Sequence, residues 1–267
     1  MPKAEIEIIY ADDSILVINK PSGVSVTRDR SGEVELVHML AKQLGPQICS
    51  TLRLVHRLDK HTSGVMLLAK NAEAQTELSS YFGRKLIKKT YLALVTGPVH
   101  GREGTIDEPL ANSSKKPGTM CIDRKRGKEA LTKWKLLADF GPISLLAVYP
   151  LTGRTHQIRV HLHAVGLPLL IDPLYGNPKP FYLSTFKTDY RLGKGQTERP
   201  LIDRLTLHAY QLSIANRKSK IANEFVACLD KKFAATIKML AKHNTKQLDA
   251  FVNPDDFSKI MNGQELS

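Results

Sequence analysis

The chain has 267 residues, 42% of them hydrophobic and 24% charged, enough for a substantial core in one or two domains and too apolar for a disordered chain. With 39 Lys and Arg against 26 Asp and Glu, the formal charge is +13, which points to polyanionic partners, nucleic acid before an anionic membrane. No apolar run reaches the roughly 18 residues of a membrane span, and the opening Met-Pro-Lys-Ala-Glu-Ile-Glu has no secretory apolar core. Cys49, Cys121 and Cys228 are odd in number and far apart, so they read as reduced thiols in a cytoplasmic protein.

Residues 5–9 alternate as a half-exposed strand should, and Ile15 to Ile18 form a fully apolar one, which ends in Lys20-Pro21-Ser22-Gly23. Val34, Val37, Leu40, Ala41 and Leu44 lie at helical spacing, with Gly45-Pro46 as the stop. Leu52 to Leu58 and Val65 to Leu68 read as two buried strands around a polar turn. A helix capped by Asn71 follows, with Ala74, Leu78, Tyr81 and Phe82 on its apolar face. Next comes a strand from Arg84 to Val95.

Residues 101–128 are expected to be irregular and basic, a stretch suited to tracking phosphates or simply to being solvated. Glu129 to Asp139 and Ile143 to Val148 make a strand pair turned at Gly141-Pro142, with Trp134 in the core. A helix capped by Thr155 runs through Ile158 and Leu162 to Gly166. Residues 177–200 have no assigned structure, Arg204 to Ala209 resume as a strand, and Phe233 to Ala241 form an amphipathic helix. The expected organisation is one domain over 1–245, with no separate N-terminal RNA-binding domain, and a polar tail over 246–267 whose last fifteen or so residues are expected to fray.

The turn between the two central strands holds His56, Arg57, Asp59, Lys60, His61, Thr62, Ser63 and Gly64. Taken alone, an Asp after a strand is a turn-former or helix cap. A single carboxylate among cations at the lip of a rigid scaffold is also where a carboxylate can do chemistry. Three His residues in the segment 156–163 raise a metal site, but on a helix His161 and His163 diverge, and no Cys or acid completes a set. No metal is expected.

His56-Arg57-Leu58-Asp59 with Thr62-Ser63-Gly64 and Ala69-Lys70 resembles the signature of the RluA-type RNA pseudouridine synthases. Three further stretches match at ordered positions: Lys20-Pro21-Ser22-Gly23, Lys89-x-Tyr91-x-Ala93 with Val95-x-Gly97, and Arg154-Thr155-His156-Gln157-Ile158-Arg159-x-His161. Ile171-Asp172-Pro173-Leu174-Tyr175-Gly176 is a fifth, with Ile171 where many relatives have Gly. The resemblance as a whole covers roughly residues 12–212.

The resemblance implies an α+β fold built on a long, bent mixed or antiparallel sheet with flanking helices, and the isomerisation of uridine in structured ribosomal or transfer RNA. It implies Asp59 as the catalytic carboxylate, Arg159 as its paired guanidinium and Tyr91 against the uracil. Arg57 is the candidate for holding the stack the flipped base vacates. His56, Thr62, Lys89 and Arg154 are expected at the RNA, with Lys115, Lys116, Arg124, Lys125 and Arg126 gripping its phosphates.

The isomerisation is redox-neutral and calls for no cofactor, and a monomer without an obligatory protein partner is expected. A non-catalytic RNA-binding protein or chaperone would account for the charge but not for Asp59, Tyr91 and Arg159 together. A glycoside or nucleoside hydrolase would want a second acid that the motif lacks.

Overall fold

The computed structural model describes residues 5–26, 35–187, 189–193, 195–215 and 224–266. Two compact units divide the chain: 1–90, 208–228 and 263–267 in the first, and 91–207 with 229–262 in the second.

The first unit starts with β1 (Glu7–Ala11) antiparallel to β2 (Ile15–Lys20), a bulge falling between Ile8 and Tyr10. Of the helix expected around residues 33–44, the described part is α1 (Glu35–Leu44), which buries Leu36 and Leu40. Pro46 does more than stop it: Pro suits the first turn of a helix, and here it opens the short α2 (Pro46–Thr51). The strand expected through Leu58 shrinks to β3 (Arg53–Leu54), because the chain turns away at Val55 to form the central loop. The loop feeds β4 (Ser63–Ala69), every residue of which is buried. Helix α3 (Ala72–Gly83) begins where Asn71 Oδ1 accepts the amide of Ala74, the cap expected of that Asn.

Strand β5 (Ile87–Thr96) opens the second unit at Tyr91. The stretch expected to be irregular holds three strands, β6 (Glu103–Asp107), β7 (Leu110–Asn112) and β8 (Met120–Ile122). β7 and β8 form their own antiparallel hairpin. β9 (Leu131–Asp139) and β10 (Ile143–Pro150) are the expected pair, and the antiparallel order in this unit is β5-β10-β9-β6. Gly104 lies against Trp134, where a Cβ would come within 2.6 Å of the indole.

Helix α4 (Gln157–Ala164) starts one residue later than the expected cap implied. Its cap is His156, in the left-handed region at φ 54°, and Thr155 lies outside. Ile158 and Leu162 of α4 join Ala93, Val95, Leu146 and Val148 in one apolar cluster. Residues 177–204 contain a 3-10 turn, Leu183–Thr185, above a neck where Phe181 bridges Ile202.

The chain returns to the first unit in β11 (Leu207–Ile214), whose His208 and Ala209 pair in parallel with Ser63 and Gly64 of β4. β12 (Glu224–Val226) lies antiparallel to β11. That unit is therefore mixed, in the order β1-β2-β4-β11. Back in the second unit, Asp230 caps α5 (Lys231–His243). The polar tail is folded: a 3-10 turn at Gln247–Ala250 precedes α6 (Pro254–Met261), which lies in the part expected to fray and buries Asp256 and Ile260. Phe251 contacts both Phe140 and Phe257, and those aromatic contacts hold the segment down.

Candidate active site

In the first unit, the loop carrying Asp59 is fastened at almost every residue. Leu58 sinks into the core. The amide of Thr62 donates to the Asp59 carbonyl at 3.1 Å, closing a tight turn around the acid. Lys60 O accepts from Gly23 N at 2.8 Å and from Lys20 Nζ at 3.1 Å. Lys20, 0% exposed, also donates to Pro21 O and Val24 O, three carbonyls for the three donors of an ammonium. Ser22 Oγ donates to His61 O. The Lys-Pro-Ser-Gly turn is thus a clamp on Lys60 and His61, the two residues after the acid, a use its sequence left open. Asp59 itself is half-buried at the top of this clamp.

Gly64 fixes where the loop ends. At φ +113° it lies so close to β11 that a Cβ would meet the Ala209 carbonyl oxygen at 2.1 Å. Next to it, Ser63 Oγ lies 2.8 Å from His208 Nδ1, and His208 Nε2 lies 3.0 Å from Ala227 O. A carbonyl only accepts, so Nε2 carries the proton and Nδ1 accepts from Ser63. His208 is structural.

His56 behaves differently from an RNA-binding cation. Its Nε2 accepts the amide of Leu67 at 2.9 Å, and its ring lies 5.0 Å from that of Phe82. Burial, aided by the nearby Lys89 charge, pushes its pKa down to about 3. The ring is neutral and ties the loop to β4. Lys89 is half-buried on β5, its own pKa lowered by burial. Thr62 is buried, and Arg57 is exposed on the loop next to Asp59.

In the second unit the chemistry gathers on α4. Gln157 makes four hydrogen bonds: its oxygen accepts from Thr152 Oγ1 and Arg154 N, and its amide donates to Leu131 O and Thr132 Oγ1. This buckle sets the start of the helix and, two residues on, Arg159. Arg154 stays exposed, its Nε on Glu129 O. Tyr91, half-buried at the start of β5 in this unit, packs on the cluster that holds Ile158 and Leu162.

Arg159 is 3% exposed and Asp172 1%. The guanidinium meets this carboxylate with two parallel bonds, Nε to Oδ2 at 2.8 Å and Nη2 to Oδ1 at 2.7 Å. Oδ1 also accepts the amides of Leu174 and Tyr175. Burial would push the Asp172 pKa up, but these hydrogen bonds and the Arg159 charge hold it below the usual carboxylate range. Asp172 lies in a recognised motif, yet nothing in the sequence tied it to Arg159. The signal available was an unpaired acid in a turn 13 residues from a helical Arg.

His161 is fixed at both nitrogens: Nε2 donates to Glu108 O, and Nδ1 accepts from Thr132 Oγ1. Lys115, Lys116, Lys125 and Arg126 are exposed on and around the β7–β8 hairpin. Arg124 is exposed too, but its guanidinium is engaged by both oxygens of Glu108, which reduces the charge it can offer a phosphate. Among the described residues no group of acids, His and Cys is arranged to hold a metal ion.

The first unit thus carries a half-buried carboxylate on a clamped loop, and the second a buried Arg and a half-buried Tyr on its core, in a chain of net charge +13. Residues 14–164 match the family described as RNA pseudouridylate synthase. An uncharacterized RNA pseudouridine synthase of Zymomonas mobilis is 36% identical over 82% of this chain and 92% of its own. Ribosomal large subunit pseudouridine synthase D of Borreliella burgdorferi is 33% identical over 91% of this chain and 71% of its own, and synthase C of Vibrio parahaemolyticus 33% over 90% and 72%. Among solved structures, human RNA pseudouridylate synthase domain containing 1 superposes with a TM-score of 0.68 at 25% identity, covering all of both chains. The chain belongs to the RNA pseudouridylate synthase family: it has that family's α+β fold and isomerises uridine in RNA to pseudouridine.

Proposed function

We propose that this enzyme modifies uridine in large-subunit ribosomal RNA, working in the cytoplasm as a monomer, with Asp59 as its catalytic carboxylate. The observation that carries the reading is how Asp59 is held, on a loop whose backbone is fixed by Lys20, Ser22, Gly23 and Thr62. A reacting group needs such pre-organisation, and a solvated turn does not. The choice of ribosomal over transfer RNA draws on the two relatives named for the large ribosomal subunit.

In this reading the target base leaves its stack, at a cost of a few kcal/mol, and Arg57 occupies the space it vacates. The C1′–N1 bond breaks, the uracil rotates, and C1′ joins C5, whose proton then departs. Asp59 acts at the sugar, as nucleophile at C1′ or as base toward a sugar proton. Tyr91 offers a planar face to the uracil and a phenol for the C5 proton. Arg159, aimed by Asp172 through Nε and Nη2, offers its remaining donors to the catalytic carboxylate and so opposes the rise in pKa that exclusion of water would cause there. Lys89, Arg154 and the hairpin cations Lys115, Lys116, Lys125 and Arg126 hold phosphates, with a smaller share from Arg124. His56 and Thr62 act on the RNA through the loop they fix.

Mapping pseudouridines in total RNA from cells with and without the gene tests the reading. One or a few large-subunit sites should disappear and return with the wild-type gene. Loss confined to transfer RNA, or no loss at all, would overturn the choice of substrate.

A further inference from the structure

Tyr175 makes three connections at once, and the chemistry above uses none of them. Its hydroxyl accepts the amide of Met120, the first residue of β8, at 2.7 Å. The same hydroxyl lies 2.8 Å from His156 Nδ1. Since the Met120 amide can only donate, the phenolic proton can go to His156, and the oxygen serves both. The ring, meanwhile, lies against the Arg159 guanidinium, 5.1 Å from centroid to Cζ. The turn is joined to the hairpin a second time, where Lys116 Nζ donates to Leu174 O at 3.1 Å.

We infer that Tyr175 is a positioning residue that links the seating of RNA on the β7–β8 hairpin to the aim of Arg159. Asp172 holds the guanidinium by one edge and Tyr175 covers a face, so together they set the plane of the fork. The position of the ring is in turn fixed through its hydroxyl by the backbone of β8. Phosphates that draw the hairpin cations toward RNA therefore pull on the same strand that places the ring. This inference rests on the proposed RNA grip of the hairpin and on Arg159 acting in the reaction.

The test uses the full chain and RNA labelled with tritium at uridine C5, whose release reports turnover, under single-turnover conditions with saturating enzyme. Tyr175→Phe keeps the ring and loses the hydroxyl. Its saturated rate should fall about three- to tenfold, the scale of one hydrogen bond, with RNA affinity changed less than twofold. Lys115→Ala/Lys125→Ala should lower both affinity and saturated rate in the wild-type background, but affinity alone in the Tyr175→Phe background.

A readout independent of turnover is the Met120 amide, whose hydrogen exchange should quicken in Tyr175→Phe while the β9 and β10 amides stay protected. Equal hairpin effects on the saturated rate in both backgrounds, or a wild-type rate in Tyr175→Phe, would overturn the link. If the wild type itself releases no tritium, the proposed substrate is wrong, and the exchange result still decides whether the hydroxyl pins the hairpin. Tyr175→Leu should lose more rate than Tyr175→Phe. If Tyr175→Leu does not fold, His156→Ala, which frees the same hydroxyl from one partner, takes its place and should show a smaller loss of the same kind.

Discussion

At the scale of single residues, the most consequential contact is the buried pair of Arg159 and Asp172. Such a pair adds little net stability over an apolar replacement, because both charges lose their water. Breaking it is another matter, since the remaining guanidinium would stay buried at 3% exposure without its carboxylate. Asp172→Ala is expected to cost about 3–5 kcal/mol in urea unfolding and to reduce turnover sharply. Asp172→Asn, which keeps an acceptor, should cost less.

His56 supplies a pH dependence with a definite sign. Its folded pKa, about 3, lies below the unfolded value of 6.5, so the unfolded state takes up the proton first as pH falls. The contribution of the neutral ring is complete above pH 6.5 and is lost on acidification toward pH 3. Between pH 7 and pH 5 the wild type should lose about 2 kcal/mol more than His56→Gln, read from urea midpoints at the two pH values. Equal losses would mean that the ring is not held neutral in the fold.

At the scale of elements, β4 and its neighbours decide where the Asp59 loop can sit. Gly64 is both in the left-handed region and in backbone contact with Ala209. Gly64→Ala should cost several kcal/mol, seen as a large drop in melting temperature, and should loosen the parallel pairing of β4 with β11.

Elements with a dense apolar pattern were readable from the sequence: β2, β4, β9, β10, α3 and α5 all lie where their periodicity puts them. β6 was not: its burial alternates, but the inward positions are Gly104 and Ile106, so the sequence shows one apolar side chain where a pattern needs two. α6 was hidden for a different reason: one of its two buried residues is the acid Asp256, and Phe257 packs on Phe251, which lies outside the helix. The motifs marked Asp59, Tyr91 and Arg159, but the supports did not show. Lys20 reaches Lys60 O across 40 residues and Asp172 reaches Arg159 across 13, pairings that only the folded chain creates.

At the scale of the whole molecule, the charge of +13 makes affinity for RNA a matter of released counterions. Log affinity should fall linearly with log salt, and each of Lys115, Lys125 and Arg126 changed to Ala should reduce that slope by about one or less. Arg124→Ala should reduce it least, because Glu108 already engages that guanidinium.

In the proposed mechanism one acid performs the chemistry while many cations perform the binding. The measurement that reaches it most directly compares wild type and Asp59→Ala on the same uridine-tritiated RNA, with turnover and affinity measured side by side. Tritium release should vanish in the variant, while its RNA affinity stays within about threefold of wild type and no free uracil appears. Turnover that survives the loss of Asp59, or affinity that vanishes with it, would contradict the account.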